Sequence, residues 1–225
     1  MRDSFHHQLD VLVLQLARMC DLAATAMREA TTALLDNDIT RAEWVIDSDH
    51  ALNSARTNVE HDAQTLLALQ APVAGDLRTI VSVMHSAENV ERMGDLAHHV
   101  ALAVRRRHPG PVLHTVLRPR FARMGTLATD MASEAGRVVR TARTTHGLAA
   151  ADDEMDDLHR SLFAVVEYRE PTGGALAAVD AILLSGYYER FADHAVSVAD
   201  RSTLARAGQP RHTDLPRPRP ADIVV

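Results

Sequence analysis

A motif that occurs twice constrains this chain most. The stretch AENVERMGDLAHHVALA covers residues 87–103, and SGYYERFADHAVSVADR covers 185–201. At an offset of 98, Glu91, Arg92 and Asp95 align with Glu189, Arg190 and Asp193. An internal repeat of about 100 residues means two copies of one supersecondary unit, each built to bury the same face. Each motif lies in a long segment of helix-forming residues, so the repeated unit is helical.

Chain breakers divide the sequence into six such segments. Ser4 can cap a first helix to about Leu35, with Phe5, Leu9, Leu12, Leu16, Met19, Ala23, Ala26 and Met27 at three- and four-residue steps along one face. Asn37-Asp38 is a turn, and Asp38 can cap a second helix running through Trp44, Leu52, Val59 and Leu66 to about Gln70. Pro72 ends it and can open a third, from about Val73 to Arg106. The Pro-rich stretch 108–119 reads as a connection between halves. A fourth helix is expected over about Arg120 to Thr145, closed by His146-Gly147. A fifth spans about Ala150 to Tyr168, and a sixth follows Pro171-Thr172-Gly173-Gly174, from about Ala175 to Ala207. The expected fold is all-α: six long antiparallel helices in two pseudo-repeated three-helix bundles. Residues 1–107 form the first, 108–117 the linker and 118–207 the second, with a Pro/Arg-rich disordered tail over 208–225.

Composition removes whole classes of function. Thirty acidic residues against 24 basic give a net charge of −6, which argues against a nucleic-acid surface. Every basic residue is Arg, so Schiff-base and P-loop lysines are excluded. Cys20 is the single cysteine, so neither an internal disulfide nor a Cys-rich zinc site can form; its place beside the apolar stripe of the first helix predicts core burial. No run of 18 apolar residues is present. The N-terminal MRDSFHHQLD is charged where a secretion signal needs an apolar core, and a cytoplasmic protein is expected.

The acids are distributed with a pattern. Glu91 and Asp95 are four residues apart, as are Glu189 and Asp193, so each pair shares a helix face and repels. In a hairpin, residues equidistant from the turn stand at one height. Around Pro72, Asp49 matches Asp95 and Asn53 matches Glu91; around Gly173, Asp153 matches Asp193 and Asp157 matches Glu189. Each bundle then gathers four oxygen-bearing side chains, a set suited to hard cations or to iron and manganese. His98 and His99 follow Asp95 by three and four residues and can add nitrogen. The corresponding Val196 and Ser197 leave the second set oxygen-only. The competing reading is a solvated acidic face paired with arginines such as Arg92 and Arg190. By the same equidistance Arg56 faces Glu88 as an ion pair. Arg105-Arg106-Arg107 complements the dipole at the end of the third helix.

The run LQAPVAGDLRTIVSVMHSAENVERMGDLAHHVA over 69–101 resembles the signature of the PhoU family, phosphate-specific transport accessory proteins. The resemblance rests on Pro-Val-Ala-x-Asp-Leu-Arg at 72–78 followed by Glu-Arg-x-Gly-Asp at 91–95, and it covers roughly residues 4–206. It implies two three-helix bundles carrying metal on their carboxylate faces, at Asp49, Glu91, Asp95, Asp153, Asp157, Glu189 and Asp193. Asn53 stands where the pattern has an acid, and His99 and Ser197 where it often has Asn. The implied metals are iron, manganese, zinc or magnesium, with Asn53 and His99 completing the first set. The implied role is a non-enzymatic negative regulator of the phosphate-starvation response, an adaptor between the ATPase of the phosphate transporter and a sensor histidine kinase. A homodimer, reaching the membrane only through its partners, is expected with it. Many Ala, many Arg and no Lys suggest a GC-rich, actinobacterial genome. The alternative function is a metal-dependent hydrolase or oxidase using the same carboxylates.

Overall fold

A computed structural model describes residues 2–69, 72, 74–143, 147–168 and 174–206. Six helices make up the fold: α1 (Arg2–Asp36), α2 (Ile39–Leu69), α3 (Ala74–Arg107), α4 (Arg118–Thr141), α5 (Gly147–Tyr168) and α6 (Gly174–Arg206). No helix among the described residues is long and apolar enough to cross a membrane. The expected 171–173 turn residues and the tail over 208–225 lie outside the described residues.

The boundaries follow local chemistry. Asn37 adopts φ 54, and Asp38 then caps α2, its Oδ1 accepting from the Arg41 N–H at 3.0 Å. α4 differs from expectation at both ends. It begins at Arg118, with Pro119 in the first turn where its missing N–H costs nothing. It ends at Thr141, because Ala142 turns left-handed at φ 52 and its N–H returns to Val138 O. Gly147 therefore opens α5 instead of closing α4.

The helices form two layers. α2, α3, α6 and α5 lie side by side in that order, and α1 and α4 pack behind them. α1–α2–α3 and α4–α5–α6 are the repeated three-helix units. α1 lies against α4 and α3 against α6, so one apolar core runs through both halves. On α1, Phe5, Leu9, Leu12, Leu16, Met19, Ala23 and Met27 are buried; Ala26 packs at the core's edge, and Cys20 is fully buried, its thiol pushed up to about 12 mainly by desolvation. On α2 the buried line is Val45, Leu52, Val59 and Leu66, a seven-residue spacing. Trp44 is one position off that line and is 51% exposed, a correction to the expected stripe.

Between the halves, Tyr188 is fully buried, its hydroxyl 2.9 Å from Thr31 Oγ1 and its ring edge-on to Phe121. Burying a side chain of that size contributes about 1.5–3 kcal/mol, and the shared hydroxyl pair avoids an unsatisfied polar group. α1 and α4 meet closely enough that a Cβ on Gly125 would lie 2.3 Å from Thr31 Cγ2, so only glycine fits there. Arg107 ties α3 to α6 through Asp180, and Arg105 sits 3.6 Å from Glu43 on α2.

Candidate functional site

The repeated motif falls in the middle of α3 and α6, the two central helices of the front layer. Its acidic residues face outward toward α2 and α5. Two carboxylate faces result, one per half, with the α3–α6 seam between them.

The first face joins α2 and α3. Asn53 Nδ2 donates to Asp49 Oδ2 at 3.2 Å, and His98 Nδ1 lies 3.8 Å from the same oxygen. Glu91 is half-buried and titrates above the usual carboxylate range: burial raises it first, then the charges of Asp95 and Asp49, while Arg56 and Arg92 oppose. Asp49, Asn53, Glu91 and Asp95 are thus neighbours on one face, with Arg56 beside them. His98 Nδ1 is shielded from water and has no hydrogen-bond partner. Gly94 lets the helices approach, since a Cβ there would stand 2.4 Å from Leu52 Cδ2 and 3.7 Å from Asp49 Oδ1.

His99 is placed differently. It is exposed on α3 and turns toward α6, where its ring meets Tyr187 edge-on at 5.3 Å. Residues 91, 94, 95 and 98 follow the side of α3 that faces α2; one more residue rotates a side chain by about 100°, toward α6. Arg56 pairs with Glu60 one turn along, and Glu88 with Arg92, in place of the expected Arg56–Glu88 pair.

The second face joins α5 and α6, and here the acids on α5 are Asp152 and Asp156. Burial raises Asp152 first, then Asp193, Asp156, Asp153 and Glu189. Glu189 is raised by burial and by Asp193 and Asp156, against His159; Asp193 is raised by burial and Asp156, against His194. Asp153 and Asp157 are exposed, as Asp156 also is, but unlike Asp156 neither is among the charges that raise Glu189 or Asp193, and Asp157 pairs with Arg160 at 2.5 Å. Equidistance from Gly173 gives the correct height but the wrong side of the helix. The usable signal was in the apolar line. Met155 is buried as Leu52 is, and Asp152 and Asp156 flank it as Asp49 and Asn53 flank Leu52. At the same spacing His159 takes the place of Arg56; its Nδ1 lies 2.8 Å from Ser185 Oγ.

Among the described residues, no three His, Cys, Asp or Glu side chains converge on one point as metal ligands do. What the structure brings together is charge: three carboxylates on the first face and four on the second, repelling across partly desolvated ground. In the seam between, the half-buried His194 is held below the ordinary imidazole range by burial and by Arg92 and Arg190, against Asp193.

A duplicated, two-layer helical body that repeats one carboxylate face per half defines an all-α protein built from two three-helix units. The PhoU domain family matches residues 16–104 and 121–202. The chain belongs to that family. It is 46% identical over 210 residues to the phosphate-specific transport system accessory protein PhoU homolog 2 of Mycobacterium tuberculosis, spanning 92% of this chain and 99% of the relative. It is equally similar to PhoU homolog 1 of Mycobacterium leprae, over 92% of this chain and 95% of that one. The fold superposes on crystal structures of PhoU from Streptococcus pneumoniae and Pseudomonas aeruginosa, each with a TM-score of 0.79 over 91% of this chain, at 23% and 24% identity.

Proposed function

We propose that the protein is a regulatory adaptor of phosphate uptake. It represses the phosphate-starvation response when phosphate is plentiful, linking the ATPase of the phosphate transporter to a sensor histidine kinase. The likeness along nearly its whole length to relatives named as phosphate-transport accessory proteins is the observation that supports this reading. The fold is consistent with docking rather than turnover: a single core stiffens both halves, and the front layer offers a broad charged face. Such faces steer and orient a partner more than they add raw affinity. The protein works in the cytoplasm, as a homodimer, and meets the membrane only through its partners.

Divalent cations belong to the same reading. Since these side chains do not converge on one point as they stand, each set would have to draw together around the ion: Asp49, Glu91 and Asp95, with Asn53 and His98, on the first face, and Asp152, Asp156, Glu189 and Asp193 on the second. The orphaned Nδ1 of His98 beside Asp49 fits a cation that accepts nitrogen, such as zinc or iron. The second face suits magnesium, manganese or iron. A bound cation supplies charge neutralisation, offsetting the repulsion that raises these carboxylates.

Deleting the gene tests the regulatory role. Phosphate-scavenging genes should become constitutive at high phosphate, and the tagged chain should recover the transporter ATPase from a phosphate-replete lysate. Normal switching in the deletion strain, with no paralogue to cover, would contradict the reading.

A further inference from the structure

The two helices of the back layer present opposite chemistry to solvent. Along the outward side of α4, Arg123, Thr126, Asp130 and Ser133 are exposed. The outward side of α1 is apolar. Val11, Leu14 and Leu22 are 41%, 46% and 44% exposed. The steps from Val11 to Leu14, Arg18 and Leu22 keep all four on one side of the helix, over about 16 Å of its length. A stripe of that kind is covered by a partner helix.

Charge along the stripe identifies the partner. Asp10 and Arg18 are both exposed, and among the described residues neither is in an ion pair. They stand about 12 Å from each other along the axis of α1, out of mutual reach. Leu14 is at their midpoint, four residues from each. A second copy of α1 laid antiparallel, with the two-fold axis through Leu14, sets Asp10 of each copy against Arg18 of the other. Two ion pairs then flank a Leu14–Leu14 contact. Val11 lies along the methylenes of the opposing Arg18, and Leu22 covers the opposing His6 and His7. Such self-complementarity is what an interface between identical surfaces requires. Other registers lose it. An axis at Arg18 brings Leu14 against Leu22 but sets the two guanidiniums on each other, and pairing Val11 with Leu22 leaves Asp10 and Arg18 without partners.

α4 leaves this surface open. Gly125 stands against Thr31 and Gly136 against Cys20, so α4 runs antiparallel to α1 and ends at Thr141, near the level of Leu14. Its polar side runs away from the axis.

We propose that the outer face of α1 joins two copies of this chain, antiparallel about Leu14. This rests on the homodimer of the reading above and assigns its interface, whereas the adaptor role is tested separately by deletion.

Sedimentation equilibrium of the full chain tests it, with circular dichroism checking that each variant folds. The parent chain should pass from one copy per particle to two as concentration rises through the micromolar range. L14D puts two like charges on the axis and should weaken association by about a hundredfold or more. D10R and R18D each set like charges together twice and should weaken it by more than about tenfold. The double reversal D10R/R18D rebuilds both pairs and should return to within about threefold of the parent. A parent chain that stays monomeric throughout overturns both the homodimer and this interface. A dimer that L14D or the single reversals leave intact, or that D10R/R18D fails to restore, overturns the interface alone.

Discussion

The two carboxylate faces descend from one repeat but differ where it matters for a cation. On α2, Asp49 and Asn53 flank Leu52, with Arg56 one turn further. On α5, Asp152 and Asp156 flank Met155, with His159 one turn further. The first face has thus exchanged one carboxylate for an amide and keeps a permanent cation beside Glu91. The second has four carboxylates and a titratable imidazole in that position. The electrostatics follow: only Glu91 is clearly raised on the first face, whereas Asp152, Glu189 and Asp193 are all raised on the second. A duplicated fold has kept its architecture and let its two sites diverge by single side chains.

If repulsion measures the demand for a cation, the second face binds divalent metal more tightly. The largest effect is expected from E189Q/D193N, which should weaken manganese binding there by more than about tenfold, since ligand charge count sets such affinities. Equal loss at both faces would break the comparison. Next, N53D makes the first face resemble the second, and calorimetry should show its manganese affinity rise about fivefold. No rise would mean that Arg56, not Asn53, limits that face. His98→Ala should weaken zinc at the first face by about threefold and leave magnesium unchanged, because imidazole suits zinc and magnesium prefers oxygen. Equal losses of both metals would remove His98 as a donor.

The smallest effect is on stability without metal. A carboxylate whose folded pKa lies above its unfolded value binds extra protons in the native state, so stability falls as pH rises through the window between the two. The penalty is fully present at pH 7 and gone below about pH 3.9, the unfolded value for Asp. D152N should therefore raise stability at pH 7 by roughly 0.5 kcal/mol, solvent screening keeping it to the scale of a surface pair. Melting curves of D152N and the parent chain should converge as pH falls toward 4. A gain that persists in acid would point to a cause other than charge.

Much of this was legible in the sequence. Proline, glycine and Asn-Asp breakers located six helices, and the duplicated Glu-Arg-x-x-Asp located the acids on α3 and α6. Their partners across the hairpins were harder. Distance from a turn specifies height along a helix but not which side a residue faces, and one residue of error is about 100° of rotation. Pro72 centred the first hairpin correctly. Around Gly173 the same arithmetic selects Asp153 and Asp157, whereas the buried Met155 sets Asp152 and Asp156 toward α6. His98 and His99 differ in the same way, one facing α2 and the other Tyr187. Ion pairs were legible least, since Arg56 reached Glu60 on its own helix instead of crossing to Glu88.

The most direct measurement is a manganese titration of D152N/D156N beside D153N/D157N. The two variants remove equal charge from the same two turns of α5 and differ only in the side of the helix. D152N/D156N should abolish the tighter binding event and D153N/D157N should leave it within about twofold, as expected for surface charges that do not act on Glu189 and Asp193. Equal loss in both, or loss only in D153N/D157N, would contradict the face assigned to α5 and with it the difference between the two halves.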